Sequence, residues 1–74
     1  MNVEEEVAKL QQNKMIVLMQ KLQAEFLAAT EDGVKFAQGN NSAGTRVRKA
    51  MQSIKSLAQE VRIEVQEQKN SVTT

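Results

Sequence analysis

The chain contains no cysteine, histidine, proline, tyrosine or tryptophan, and its only aromatic side chains are Phe26 and Phe36. Without cysteine no disulfide can form. Without cysteine or histidine no soft-ligand metal site can be built. The commonest general base and the best side-chain nucleophile are missing as well. The glutamates, Glu4 to Glu6 and Glu60 to Glu67, have no spacing that builds a buried carboxylate pair and read as solvated surface. Residues 39–45 lack the GxxxxGK[ST] order of a phosphate loop and come after no strand. The expectation is therefore no enzyme, no catalytic residue, no metal, no cofactor and no small-molecule substrate. Two phenylalanines are too few for base-stacking platforms on single-stranded nucleic acid. Long apolar runs are absent too: Met15 to Met19 is the longest, far too short to span a bilayer. The acidic start, Glu4-Glu5-Glu6, is opposite in charge to a targeting segment. A cytoplasmic protein without a membrane partner is expected.

What is present favours helix. Ala, Gln, Lys, Glu, Leu and Met dominate, and the valines stand at helical rather than alternating spacing. In the second half Val47, Met51, Ile54, Ala58, Val61 and Val65 recur at intervals of four and three, the heptad stripe of a helix packed lengthwise on another. In the first half Val3, Val7 and Leu10 begin one stripe, and Met15, Leu18, Leu22, Phe26 and Ala29 form a second, slightly offset. Ile16, Val17 and Met19 make the middle of this helix apolar nearly all round, which implies either more than one neighbour or one broad core face. The segment Gly39-Asn40-Asn41-Ser42-Ala43-Gly44 is the obvious break, with Gly39 as stop and Asn41 or Ser42 as N-cap of the second helix. The spacing predicts an all-α fold and a single domain over 1–74. A helix of about 3–38 with Gly33 as a point of bending, a loop of about 39–42, a helix of about 43–69 and a polar tail at 70–74 would make an antiparallel αα-hairpin. Seventy-four residues cannot enclose a sizeable core this way. Self-association, to at least a dimer and a helical bundle or coiled coil, is expected through Met15, Leu18, Leu22, Phe26, Val47, Met51, Ile54, Val61 and Val65.

Charge is nearly balanced over the whole chain, with ten Lys+Arg against nine Asp+Glu, but it is segregated. Between Gly33 and Glu60 there is no acid, while Lys35, Arg46, Arg48, Lys49 and Lys55 are basic. On a hairpin these residues collect at the tip, beside the amides at the start of the second helix, and Gly44 would let a phosphate approach the backbone. Arg46, Arg48 and Lys49 are the leading phosphate contacts, widened by Lys35 and Lys55. Arg48, Lys55, Arg62 and Lys69 recur every seven residues and would form a ridge. For Arg62 and Lys69, among glutamates in sequence, solubility and pairing between helices is the preferred role. The partner so implied is double-stranded DNA, bound through its backbone without base reading. The alternative is a coiled-coil interaction module that self-assembles or binds a partner helix without nucleic acid.

Gly39, Asn40, Ala43, Gly44, Arg46 and Arg48 fit a GN-x-x-A-[AG]-x-R-x-R pattern. The segment resembles the chlamydial-type bacterial histone-like proteins, and the similarity covers roughly residues 33 to 69, more weakly beyond the pattern itself. That resemblance implies a helical, self-associating, nucleoid-associated protein that condenses DNA with little sequence preference. Members of that family commonly continue into a Lys-rich tail, whereas this sequence runs to Thr74 without one. Weaker binding through the tip, or a mainly associative role, is the corresponding expectation.

Overall fold

The computed structural model describes residues 3–5 and 13–72, with side chains through residue 70. The stripe positions Val7 and Leu10, the acid Glu6 and the last residues of the polar tail lie outside the described residues. Apart from a helical turn at 3–5, the described chain forms two helices, α1 (Lys14–Ala37) and α2 (Asn41–Val72), and no strand.

Helix α1 begins at Lys14 and not as the continuation of a helix from residue 3, because Asn13 takes an extended conformation (φ −74°, ψ 124°). Its side-chain oxygen accepts a hydrogen bond from the Met15 N–H at 2.8 Å, the N-cap geometry that asparagine favours. The helix then runs through Gly33 without interruption and ends at a C-cap, Gln38. Gly39, at φ +103°, adopts the left-handed conformation that glycine tolerates. Its N–H donates to the Phe36 carbonyl at 2.9 Å, and the Asn40 N–H donates to the Lys35 carbonyl at 3.0 Å. These two bonds are the Schellman closure of a helix C-terminus. Asn40, rather than Asn41 or Ser42, caps α2: its side-chain oxygen accepts from the Ala43 N–H at 3.2 Å. The reason is the tight turn at Gly39, which leaves Asn40 as the residue at the new helix start. At the other end α2 reaches Val72, so residues 70–72 are helical rather than tail.

The two helices lie side by side. Asn13 meets Gln68 (3.0 Å) and Lys14 meets Glu64 (3.9 Å) far from the turn, while Asp32 meets Arg46 (2.9 Å) near it. On α2 the residues turned inward are Ala43, Val47, Ala50, Ile54, Leu57, Val61, Glu64 and Gln68, again at intervals of four and three. Two stripes share Val47, Ile54 and Val61. The expected one adds Met51, Ala58 and Val65, whereas the structure turns Ala50, Leu57 and Glu64 inward and leaves Met51, Ala58 and Val65 exposed. Spacing alone allows either stripe, and packing against α1 selects between them. On α1 the inward residues are Met15, Leu18, Leu22, Glu25, Ala29 and Asp32. Phe26 lies one position past this line and is 52% exposed. Leu18, Ala29 and Ala43 are the only buried apolar residues among those described, so the core is thin. One leucine contributes about 1.5–3 kcal/mol on burial, little for a chain of this length.

Candidate functional site

A residue one position before the inward line projects to one flank of its helix, and a residue one position after it to the other. Because α2 returns along α1, the "before" flanks of both helices share one side of the molecule. Arg46, Lys49 and Lys35 stand before the line, as do Lys14 and Lys21. Arg48 and Lys55 stand after it. The basic cluster legible in sequence is thus divided between two sides. Groove linings agree: Lys21, Glu25, Ser53 and Glu60 line one groove, whereas Arg48 shares another with Phe36, Gly44 and Val47.

Each nominated residue acquires a definite setting. The Arg46 Nε–H donates to Asp32 Oδ1 at 2.9 Å, and the arginine side chain remains 48% exposed. The stretch from 34 to 59 is therefore acid-free in sequence but not in space, since the adjoining helix supplies an acid fourteen residues away. A guanidinium has five N–H donors, so one bond from Nε orients Arg46 while others remain for an anion. Arg48, Lys49, Lys35 and Lys55 are exposed and form no ion pair among the described residues. Gly44 has a packing role that sequence did not reveal. A Cβ placed there would lie 2.6 Å from the Phe36 ring, so the aromatic ring fills the space through which a phosphate was expected to approach.

At the end away from the turn lies a polar cluster. Glu64, expected among solvated glutamates, is 8% exposed because it occupies an inward position. The Gln68 side-chain amide donates to Glu64 Oε2 and to Asn13 Oδ1, both at 3.0 Å, and Lys14 Nζ stands 3.9 Å from Glu64 Oε1. The seven-residue series 50, 57, 64 was the signal in the sequence that could have found it.

The outer surfaces of the two helices differ in kind. On α1, Ile16, Gln20, Gln23, Leu27, Thr30 and Val34 face away from α2 and are uncharged, with the exposed Glu31 as the one acid beside them, while Met19 and Phe26 stand on the flank after the inward line. Ile16, Met19, Leu22 and Phe26 line a shallow groove there. On α2 the corresponding surface carries Thr45, Gln52, Gln59 and Gln66 beside the basic residues. Among the described residues no helix is long and apolar enough to cross a membrane, and no acidic cluster is placed to hold a metal ion.

Comparison with known proteins gives one family: a model described as Histone H1-like protein Hc1 matches residues 17–71. The match takes in nearly all of both helices and reaches back well before Gly33, where the local resemblance in sequence begins. No curated protein and no solved structure matches the chain.

Proposed function

Because the chain belongs to the family of histone H1-like protein Hc1, we propose that it is a nucleoid-associated protein that binds double-stranded DNA without sequence preference. In this reading it works as an antiparallel helical hairpin. Arg46, Arg48 and Lys49 contact phosphates near the turn, Lys35 and Lys55 widen the contact, and the α2 N-terminus beside Gly44 adds a favourable dipole. The observation that carries the reading is the exposure of these basic side chains on both sides of the hairpin from the turn onward, where Arg46 alone of the five has an ion-pair partner among the described residues. Self-association through the largely apolar exposed surface of α1 would set two such tips on one duplex and let the protein compact DNA. Its thin core and the exposure of Met19, Phe26, Leu27 and Val34 support that step.

Three to five phosphates neutralised per tip correspond to a log–log salt slope of roughly −3 to −5. Fluorescence anisotropy on unrelated duplexes across a salt series measures it. Binding that ignores salt, or that survives Arg46→Ala with Arg48→Ala undiminished, would sink the reading. The same largely apolar α1 surface also favours a second reading, an interaction module that assembles without nucleic acid. Assembly that weakens with salt and does not respond to DNA would favour it.

A further inference from the structure

We propose that the phosphate-binding surface does not stop at the turn but continues along α2 as a ridge of Arg48, Lys55, Arg62 and Lys69, so that a duplex lies lengthwise on this helix. The inference rests on the DNA-binding reading and adds Arg62 and Lys69, which local sequence context assigns to solubility.

Four observations carry it. First, each ridge residue comes one position after an inward residue (Val47, Ile54, Val61, Gln68), so all four occupy the same flank. The inward line keeps its seven-residue repeat over this whole length. The ridge therefore holds a constant angle to the seam, whereas a straight helix would drift about 20° per heptad. Second, the glutamates near Arg62 and Lys69 in sequence are directed elsewhere. Glu64 is buried against Lys14 and Gln68, Glu60 lines the groove on the opposite side with Lys21, and Glu67 stands one position before the inward Gln68, on that same opposite flank.

Third, the positions three and four residues from each ridge residue are neutral in sequence: Gly44, Thr45, Met51, Gln52, Ala58, Gln59, Val65, Gln66, Val72 and Thr73. A helix face that used its cations for solubility through i,i+4 pairing would place glutamates there. Across the seam α1 presents Met19, Phe26 and Gly33 to this flank, again without an acid. All four ridge residues are exposed, and none has an ion pair among the described residues. Fourth, from Arg48 to Lys69 the ridge is about 31 Å long at 1.5 Å per residue, close to the ~34 Å turn of a duplex. A linear array of cations at that spacing suits a repeating phosphodiester backbone better than a single small anion.

The test compares the full chain with three variants: Arg62→Gln with Lys69→Gln on the ridge, Arg46→Gln with Lys49→Gln at the turn, and Lys21→Gln on the opposite side. A random 30-base-pair duplex is the ligand, and circular dichroism checks the fold. If each ridge residue holds one phosphate, the ridge variant loses about 1.8 from the log–log salt slope. That is about a sixtyfold loss of affinity at 0.1 M salt relative to 1 M, while Lys21→Gln leaves the slope unchanged. If the turn variant loses affinity and the ridge variant does not, the ridge is overturned and the DNA-binding reading stands. If Lys21→Gln costs as much per charge as the ridge variant, bulk charge rather than a ridge governs binding, and the proposal falls. If the parent chain shows no salt-dependent binding to duplex, both fall. Selective binding to phosphatidylserine vesicles in place of duplex would also overturn it.

Discussion

Gly44 and Asp32 show how single residues tie the turn to the candidate site. The Phe36 ring rests where a Gly44 side chain would be, so Gly44→Ala forces the half-exposed ring to swing away. We expect a loss of about 1 kcal/mol in urea denaturation, at the low end for overpacking because the ring has solvent to move into. Asp32 holds Arg46 by an ion pair at 2.9 Å that is open to water on the arginine side. Asp32→Asn should therefore cost less than about 1 kcal/mol of stability. The same substitution removes the acid that competes with phosphate, so duplex affinity should rise about five- to tenfold at 0.1 M salt and the slope should steepen by about one. Unchanged affinity would mean that Arg46 takes no part in binding. Neither role was legible in sequence, because both depend on which α1 residue faces which α2 residue.

At the scale of the helices, most of the all-α architecture could be read directly. The break at Gly39, the helix-forming composition and the shared series Val47, Ile54 and Val61 all carry into the structure. The choice between Met51 and Ala50 as neighbours of that series could not be read, since both apolar residues suit a stripe and only the partner helix distinguishes them. Asn13 escaped notice for a different reason. An asparagine inside a helix-rich stretch costs little by propensity, and its capping role appears only once its side chain is seen to bond Met15. Asn13 also accepts from Gln68, so Asn13→Ala removes a cap and an interhelix bond together. Thermal or chemical denaturation should show a loss of about 1–2 kcal/mol. Gly33 offers the opposite change. It lies within α1, and a Cβ there would meet nothing within 4 Å. Gly33→Ala should stabilise the chain by about 1 kcal/mol; destabilisation would indicate that another chain packs closely at this position.

The described residues are asymmetric at the scale of the whole molecule, with an outer face on α1 that is largely apolar and carries one acid, Glu31, and a basic, glutamine-rich one on α2. Labour divides accordingly in the proposed function: α1 associates, and the turn together with α2 binds phosphate. Met19→Gln with Phe26→Gln should shift sedimentation toward monomer and weaken compaction of long DNA, while single-duplex binding persists at reduced avidity. In sequence the charge segregation pointed to the tip alone, and the division between helices did not emerge there, because Arg62 and Lys69 look neutralised until Glu64 is seen to turn inward. The most direct test of DNA binding without sequence preference is the affinity of the chain for two unrelated duplexes of equal length, measured from 50 to 300 mM salt. Equal affinities and a common log–log slope of roughly −3 or steeper are predicted. A slope near zero, or strong preference for one duplex, would contradict it.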